Sequence, residues 1–173
     1  GGSTITMQIA KEMLLSSERS YSRKLQQVLL AYKIEKNFQK RQILYLYLNQ
    51  VYFGQRAYGV EAAARSYFHK HIKEVTPAEA ALIAGLVKAP TSFSPLHNPI
   101  RCRERQLYVL RRMRETGKLE EEKYKAANAE ELQLTLSVPL PPSAPASGVP
   151  LALNLRYVNA AGDTVFRGGP VTV

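Results

Sequence analysis

Four cations are spaced so that they can meet around one anion: Lys11, Arg19, Arg23 and Lys24. Lys11 ends the first helical face, and the other three sit on the segment that follows it. Several charge-assisted donors converging on one pocket is how proteins hold a diphosphate, often with a metal in support. The plainer alternative is a solvated charged face. Just ahead of these residues, Gly1-Gly2 lets backbone approach a ligand closely. A helix capped by Ser3 or Thr4 follows, and the N–H groups of its first turn suit an anion.

Other chemistry is thinly supplied. General acid–base transfer onto a sugar needs at least one well-placed carboxylate, and the candidates are Glu12, Glu18, Glu35, Glu61, Glu74 and Glu79. Glu79 is accounted for by helix capping, Glu12 and Glu18 by exposure, and Glu35 by an ion pair with the lysines around it. No pair stands out, so no catalytic base is visible. His69 and His71 lie two apart with no Cys or Asp nearby, a poor metal geometry, and His97 is distant. There is no Gly-x-Ser-x-Gly elbow, phosphate-binding P-loop or dinucleotide fingerprint. Tyr32, Tyr45, Tyr47, Tyr52, Tyr58 and Tyr67 interleave with basic residues, as on a nucleic-acid surface, but at helical spacing they read as core and groove lining.

The elements that position these residues are helical. Residues 16–49 carry two consecutive amphipathic patterns, with Leu25, Val28, Leu29, Tyr32 and Ile34, then Ile43, Leu44, Tyr47 and Leu48, at three- and four-residue steps. One face is expected to bury while Arg19, Arg23, Lys24, Lys33, Lys36, Lys40 and Arg41 occupy the other. Helices are predicted over about 21–37 and 40–51. The stripe Ile5, Ile9, Met13 and Leu14 predicts another before them. A short Ala-rich helix spans 60–67. Thr76-Pro77-Ala78-Glu79 is a capping box with Pro at the first helical position. It opens an almost wholly apolar helix to Val87, expected to be the buried central one. Asn98-Pro99 opens a helix ended by Gly117, and residues 120–131 form a last, charged helix. Residues 138–150 hold five prolines and no charge, the composition of a linker. Two short strands are expected in 151–158 and 163–173.

With 173 residues, 45% hydrophobic and 22% charged, the chain has the composition of a globular domain. Its net charge of +10 points to an anionic partner: phosphate groups, anionic lipid or nucleic acid. Cys102 is the only cysteine and cannot form an internal disulfide. No run reaches the roughly 18 apolar residues of a transmembrane helix. Gly1-Gly2-Ser3, without a starting Met, reads as the beginning of a piece of something longer.

Several motifs together resemble the family 51 peptidoglycan glycosyltransferase domain of class A penicillin-binding proteins and their monofunctional relatives. GGSTITMQ at Gly1–Gln8 looks like the family's GGSTITQQ, with Met7 in place of the first Gln. Arg23-Lys24-Leu25-Gln26-Gln27 resembles Arg-Lys-x-x-Glu, with Gln27 in place of Glu. Lys40, Ile43, Tyr47 and Asn49 fit Lys-x-x-Ile-x-x-x-Tyr-x-Asn, and Arg105, Val109 and Leu110 fit Arg-x-x-x-Val-Leu. The likeness covers residues 1–137.

The resemblance implies an all-α, lysozyme-like glycosyltransferase domain, N-terminally truncated, over 1–137. The linker 138–150 and a strand-forming, β-hairpin tail 151–173 follow. It implies an enzyme that polymerises lipid II into glycan strands by attack of an acceptor sugar hydroxyl, with inversion and release of undecaprenyl pyrophosphate. By similarity Gln8, Lys11, Arg19 and Lys24 would hold the diphosphate and sugar of the donor strand, with Gln27 beside them. Tyr52 would line the groove, and Asn49 and Tyr47 would support it. No cofactor is required, although a divalent cation, magnesium or manganese, would be able to assist. Partners would be lipid II, the growing glycan strand and the membrane surface, not nucleic acid, with a transpeptidase domain elsewhere in a class A parent. The expected location is the outer (periplasmic or extracellular) face of the bacterial cytoplasmic membrane, the anchor lying outside this chain. The family's base is a Glu in a Glu-Asp-x-x-Phe motif upstream of GGSTIT, so no catalytic residue is assigned here. Gln27 cannot carry charge or act as a base. The chain alone is therefore expected to be inactive, and a non-catalytic module binding lipid II or the membrane surface is the alternative reading.

Overall fold

In the computed structural model, which describes residues 3–14, 20–134, 157–158 and 164–168, Thr4 rather than Ser3 caps the first helix, α1 (Ile5–Met13). Its Oγ1 accepts the Met7 N–H at 3.2 Å. Ser20 does the same for α2 (Tyr21–Asn37), accepting the Arg23 N–H at 3.1 Å. Helix α3 (Lys40–Gln50) follows after the Phe38-Gln39 joint. There the Gln42 Oε1 accepts the Gln39 N–H at 2.8 Å. These helices make up one compact unit, Gly1–Val51, and Tyr52–Val173 makes up a second.

Of the α2 residues expected to bury, Ile34 does so, but the rest of the buried face differs from the one expected. The core of the first unit is Ile9, Ala10, Ala31, Ile34 and Ile43, with Met7, Leu30, Leu46 and Tyr47 packed against it. Leu25 and Tyr32 are 62% and 65% exposed, and Val28 and Leu29 are exposed beside them. At 3.6 residues per turn, positions 25, 28, 29 and 32 lie on the opposite side of the helix from 27, 30, 31 and 34. Both rows are apolar at helical spacing, so periodicity alone does not choose between them. Packing chooses the row with Ala31, whose small side chain admits α1 closely at its own small residue, Ala10. The same correction applies to α1, where Thr6, Ile9 and Ala10 are buried while Ile5, Met13 and, on α3, Leu44 are exposed. Glu35 also departs from expectation: among the described residues it has no ion pair. Lys33 and Lys36 stand two and one positions away, and such neighbours do not share a helix face.

In the second unit, the chain turns through Gly54 (φ +88°), over which the buried Tyr67 hydroxyl donates to the Phe53 carbonyl at 2.9 Å. Helix α4 (Val60–Phe68) ends where His69 takes a left-handed conformation, φ +54°. The Thr76–Glu79 capping box forms as expected: Thr76 Oγ1 accepts the Glu79 N–H at 3.2 Å and Glu79 Oε2 accepts the Thr76 N–H at 2.8 Å. It starts α5 (Pro77–Leu86), which is the buried central helix of this unit, with Ala78, Ala81, Leu82, Ile83, Gly85 and Leu86 inside. Helix α5 packs on α6 (Pro99–Glu115), which Gly117 ends at φ +68°. Helix α7 (Glu121–Ala129) follows.

A buried polar bridge joins these three helices. Arg103 donates to Gln106 Oε1 and to the Asn128 carbonyl, both at 2.6 Å, and Gln106 Nε2 donates to the Ala78 carbonyl at 2.7 Å. Cys102 lies in the same core, where burial pushes its thiol up to about 12, far from any nucleophilic role.

After α7 the chain enters a short strand, β1 (Leu132–Leu134), with Leu132 and Leu134 buried. The Leu-Gln-Leu alternation was the signal for it, but it directly adjoins a helical pattern and is only three residues long. Of the two strands expected in the tail, the described residues form β2 (Tyr157–Val158) and β3 (Thr164–Gly168), and the rest of 151–158 and 163–173 lies outside the described residues. Strands β2 and β3 pair antiparallel, and β3 also pairs parallel with β1 in the order β1-β3-β2. The remaining helices make the all-α class read from the sequence the class observed.

Glu61 clasps the segment after α4. Its Oε2 accepts the Ile72 N–H at 3.0 Å, its Oε1 accepts from Arg65 Nε at 2.9 Å, and His71 Nδ1 lies 2.9 Å away. The Ile72 N–H bond, then Arg65, hold the Glu61 carboxyl down to about 2. A carboxyl lowered in the folded state stabilises the fold above its unfolded value of about 4.3, and that contribution drains away as pH falls toward 2. Thermal unfolding of the native chain and Glu61→Gln should therefore differ at pH 7 and converge near pH 2. A gap that is constant across this range would rule the clasp out.

Candidate functional site

The first unit holds an open concavity of ≈ 580 Å³ lined by Ser3, Lys11, Ser20, Tyr21, Arg23, Lys24 and Gln27. Its cations come from two helices. Lys11 stands in the last turn of α1. Arg23 and Lys24 stand in the first turn of α2, on either side of the row that packs against α1, one turn before Gln27. The cations therefore flank the buried row. Lys33 and Lys36 fall on the side of the exposed apolar row and do not join them.

Gln27 is the hinge of this arrangement. It is only 8% exposed, its Nε2 donates to the Met7 carbonyl at 2.9 Å, and its Oε1 accepts from Lys24 Nζ at 3.2 Å. The amide thus ties α1 to α2 and orients the ammonium. Its sense follows from the partners: a reversed amide would set Oε1 against the Met7 carbonyl and Nε2 against an ammonium.

Of the residues singled out in the sequence, Lys11, Arg23, Lys24 and Gln27 come together here. Gln8 is exposed, and its Oε1 accepts from the Tyr47 hydroxyl at 3.4 Å, linking α1 to α3. Burial raises the Tyr47 hydroxyl pKa, so it serves as a proton donor in this bond. Asn49 turns back on its own helix, donating to the Tyr45 carbonyl at 2.8 Å. Tyr52 belongs to the second unit, where its ring sits 4.9 Å from that of Tyr58. Arg19, Glu18, Gly1 and Gly2 lie outside the described residues. Ser3, Ser20 and Tyr21 were not anticipated as lining, although Ser20 carried a readable capping signal. At the start of α1 the Met7 N–H is taken up by Thr4, so it is not a free anion donor.

Glu35 lies in a second concavity of ≈ 590 Å³, with Thr4, Ile5, Thr6, Phe38, Lys40, Ile43 and Leu44. No carboxylate lines the first concavity among the described residues, while Lys11, Arg23 and Lys24 do. Nor does its donor set, among the described residues, fit a divalent cation. Magnesium takes oxygen ligands, at least one of them a carboxylate in most protein sites. Here the oxygens are hydroxyls and one amide oxygen already engaged by an ammonium. Among the described residues, no cluster of three or more His, Cys, Asp or Glu is placed to hold a metal ion. His71 instead pairs with Glu61.

The sequence profile of the transglycosylase family matches residues 1–114, which include α1, α2, α3 and the whole of this concavity. The chain belongs to the transglycosylase family. It is 49% identical over 141 residues to penicillin-binding protein 1A of Pseudomonas aeruginosa, an alignment covering 82% of this chain and 17% of that protein. It is 52% identical over 132 residues to penicillin-binding protein 1A of Neisseria flavescens, covering 76% of this chain and 16% of the relative. A 2.6 Å crystal structure of penicillin-binding protein 1A from Haemophilus influenzae superposes with a TM-score of 0.54 at 34% identity. That match covers 78% of this chain and 17% of the other. The chain thus spans about a sixth of the length of these relatives. The family membership and this likeness agree with the lysozyme-like helical fold implied by the motifs.

Proposed function

We propose that this transglycosylase-family domain takes a lipid-linked diphosphate sugar, lipid II, and serves its polymerisation into peptidoglycan glycan strands. The observation that carries the reading is the convergence of Lys11, Arg23 and Lys24 on one concavity within the family-matched segment. In glycosyl transfer the acceptor hydroxyl attacks the anomeric carbon, inverting it, and gives up its proton to a general base. The bond from that carbon to the diphosphate oxygen breaks with its electron pair, so negative charge grows on the diphosphate. Cations already in place stabilise that charge more in the transition state than in the bound substrate. Lys24, held by Gln27, and Lys11 on the facing helix are placed to do this, with Arg23 beside them.

The exposed row of α2 supports a membrane-surface partner. Leu25, Val28, Leu29 and Tyr32 are exposed together, with Lys33 and Lys36 near them. An apolar stripe edged by cations suits the interface of an anionic bilayer. No helix among the described residues is long and apolar enough to cross a membrane. A location at the outer face of the bacterial cytoplasmic membrane, and a transpeptidase domain in the parent protein, belong to this same reading.

That no carboxylate lines the concavity among the described residues favours one second reading, a module that binds lipid II without turning it over. Two measurements separate the readings: binding of lipid II in detergent by this chain, and formation of glycan polymer from it by the full-length parent protein. Binding with polymer supports the enzyme; binding without polymer selects the module; no binding rejects both.

A further inference from the structure

We propose that the concavity holds its diphosphate as the metal-free anion, with the Lys24 ammonium, oriented by Gln27, standing where a bridging divalent cation would otherwise act. The inference rests on the diphosphate reading above and adds how that site neutralises its ligand. A metal-assisted diphosphate site needs protein oxygens free to bind the cation, and a carboxylate to offset its charge. Position 27 is where such an oxygen would come from, since it is buried at the junction of α1 and α2 and its Oε1 points toward the cations.

That oxygen is already engaged through one of its lone pairs. It accepts from Lys24 Nζ at 3.2 Å, and the amide cannot reverse because Nε2 is donating to the Met7 carbonyl at 2.9 Å. A divalent cation bound at Gln27 Oε1 would share that oxygen with an ammonium and be repelled by it. The remaining described lining adds Lys11 and Arg23, which are cations, and Ser3, Ser20 and Tyr21, which are neutral hydroxyls. Their summed charge is positive without any metal, and diphosphate oxygens can accept directly from these donors. With glutamine at position 27, a carboxylate neither competes with the ligand for Lys24 nor recruits a metal.

The experiment is a calorimetric titration of the 173-residue chain with inorganic pyrophosphate, in buffer treated with a chelator and again with millimolar magnesium. The expected result is binding in the chelated buffer that is unchanged or weaker with magnesium, because magnesium competes for the same phosphate oxygens. Gln27→Glu should bind metal-free pyrophosphate about tenfold more weakly, and added magnesium should then strengthen its binding. Circular dichroism checks that the variant is folded, and the unaltered chain carries the decision by itself if it is not. Binding by the unaltered chain that requires magnesium, or tightens tenfold or more with it, overturns the metal-free inference while leaving the diphosphate reading intact. Absence of binding in both buffers overturns the diphosphate reading and the inference with it.

Discussion

Lys24→Met should weaken binding of lipid II by roughly 10- to 100-fold, the loss of one charge-assisted contact to a phosphate. The substitution keeps most of the apolar stem and leaves the Gln27–Met7 bond in place, so α1 and α2 should stay docked and the melting temperature should barely move. Lys33→Met is the matched control. It removes the same charge from the same helix, but on the side away from the concavity, and should change binding by less than about twofold at moderate salt. Equal losses for the two would mean that general positive charge attracts the ligand, and that Lys24 has no special place. The comparison is best made at two ionic strengths, because long-range attraction screens away with salt while a direct contact to the diphosphate persists more fully.

The second large effect concerns stability. Arg103→Met is expected to destabilise the second unit by about 3 kcal/mol, measured by urea unfolding. Exchanging a buried ion for a hydrophobe is often neutral when its partners change with it. Here the partners remain: Gln106, fully buried, loses a 2.6 Å charge-assisted bond at its Oε1, and the Asn128 carbonyl loses another. The bridge also holds α6 to the end of α7, where carbonyls left over at a helix terminus favour a cation. For a domain whose whole stability is about 5–15 kcal/mol, a loss of this size is large. A change below about 1 kcal/mol would show that the guanidinium contributes no more than its apolar stem.

Much of this protein was legible in the residues alone. Local signals need only neighbours, so the Thr76–Glu79 capping box, the helix stop at Gly117 and the bounds of α2 were all readable from short stretches. The motifs from GGSTITMQ to Arg105 pointed to the transglycosylase family, and the profile match over residues 1–114 bears that out. The position of Lys11 and Lys24 near a shared site was likewise legible, because the ends of consecutive helices are brought close by a short connection.

The tertiary structure decided which side of each helix does what. Helix α2 carries two apolar rows on opposite sides, and nothing local distinguishes them. The larger residues, Leu25, Val28, Leu29 and Tyr32, look like the core row, yet Gln27, Ala31 and Ile34 are the buried ones. What settles the choice is the partner surface: Ala10 and Ala31 allow close approach, and the Met7 carbonyl satisfies the buried Gln27 amide. That carbonyl lies twenty residues away in sequence, so no window along the chain could show it. The same contact decides the site. In sequence, Gln27 is a glutamate that lost its charge; in the folded chain it is a two-ended brace, its amide holding α1 and its oxygen aiming Lys24.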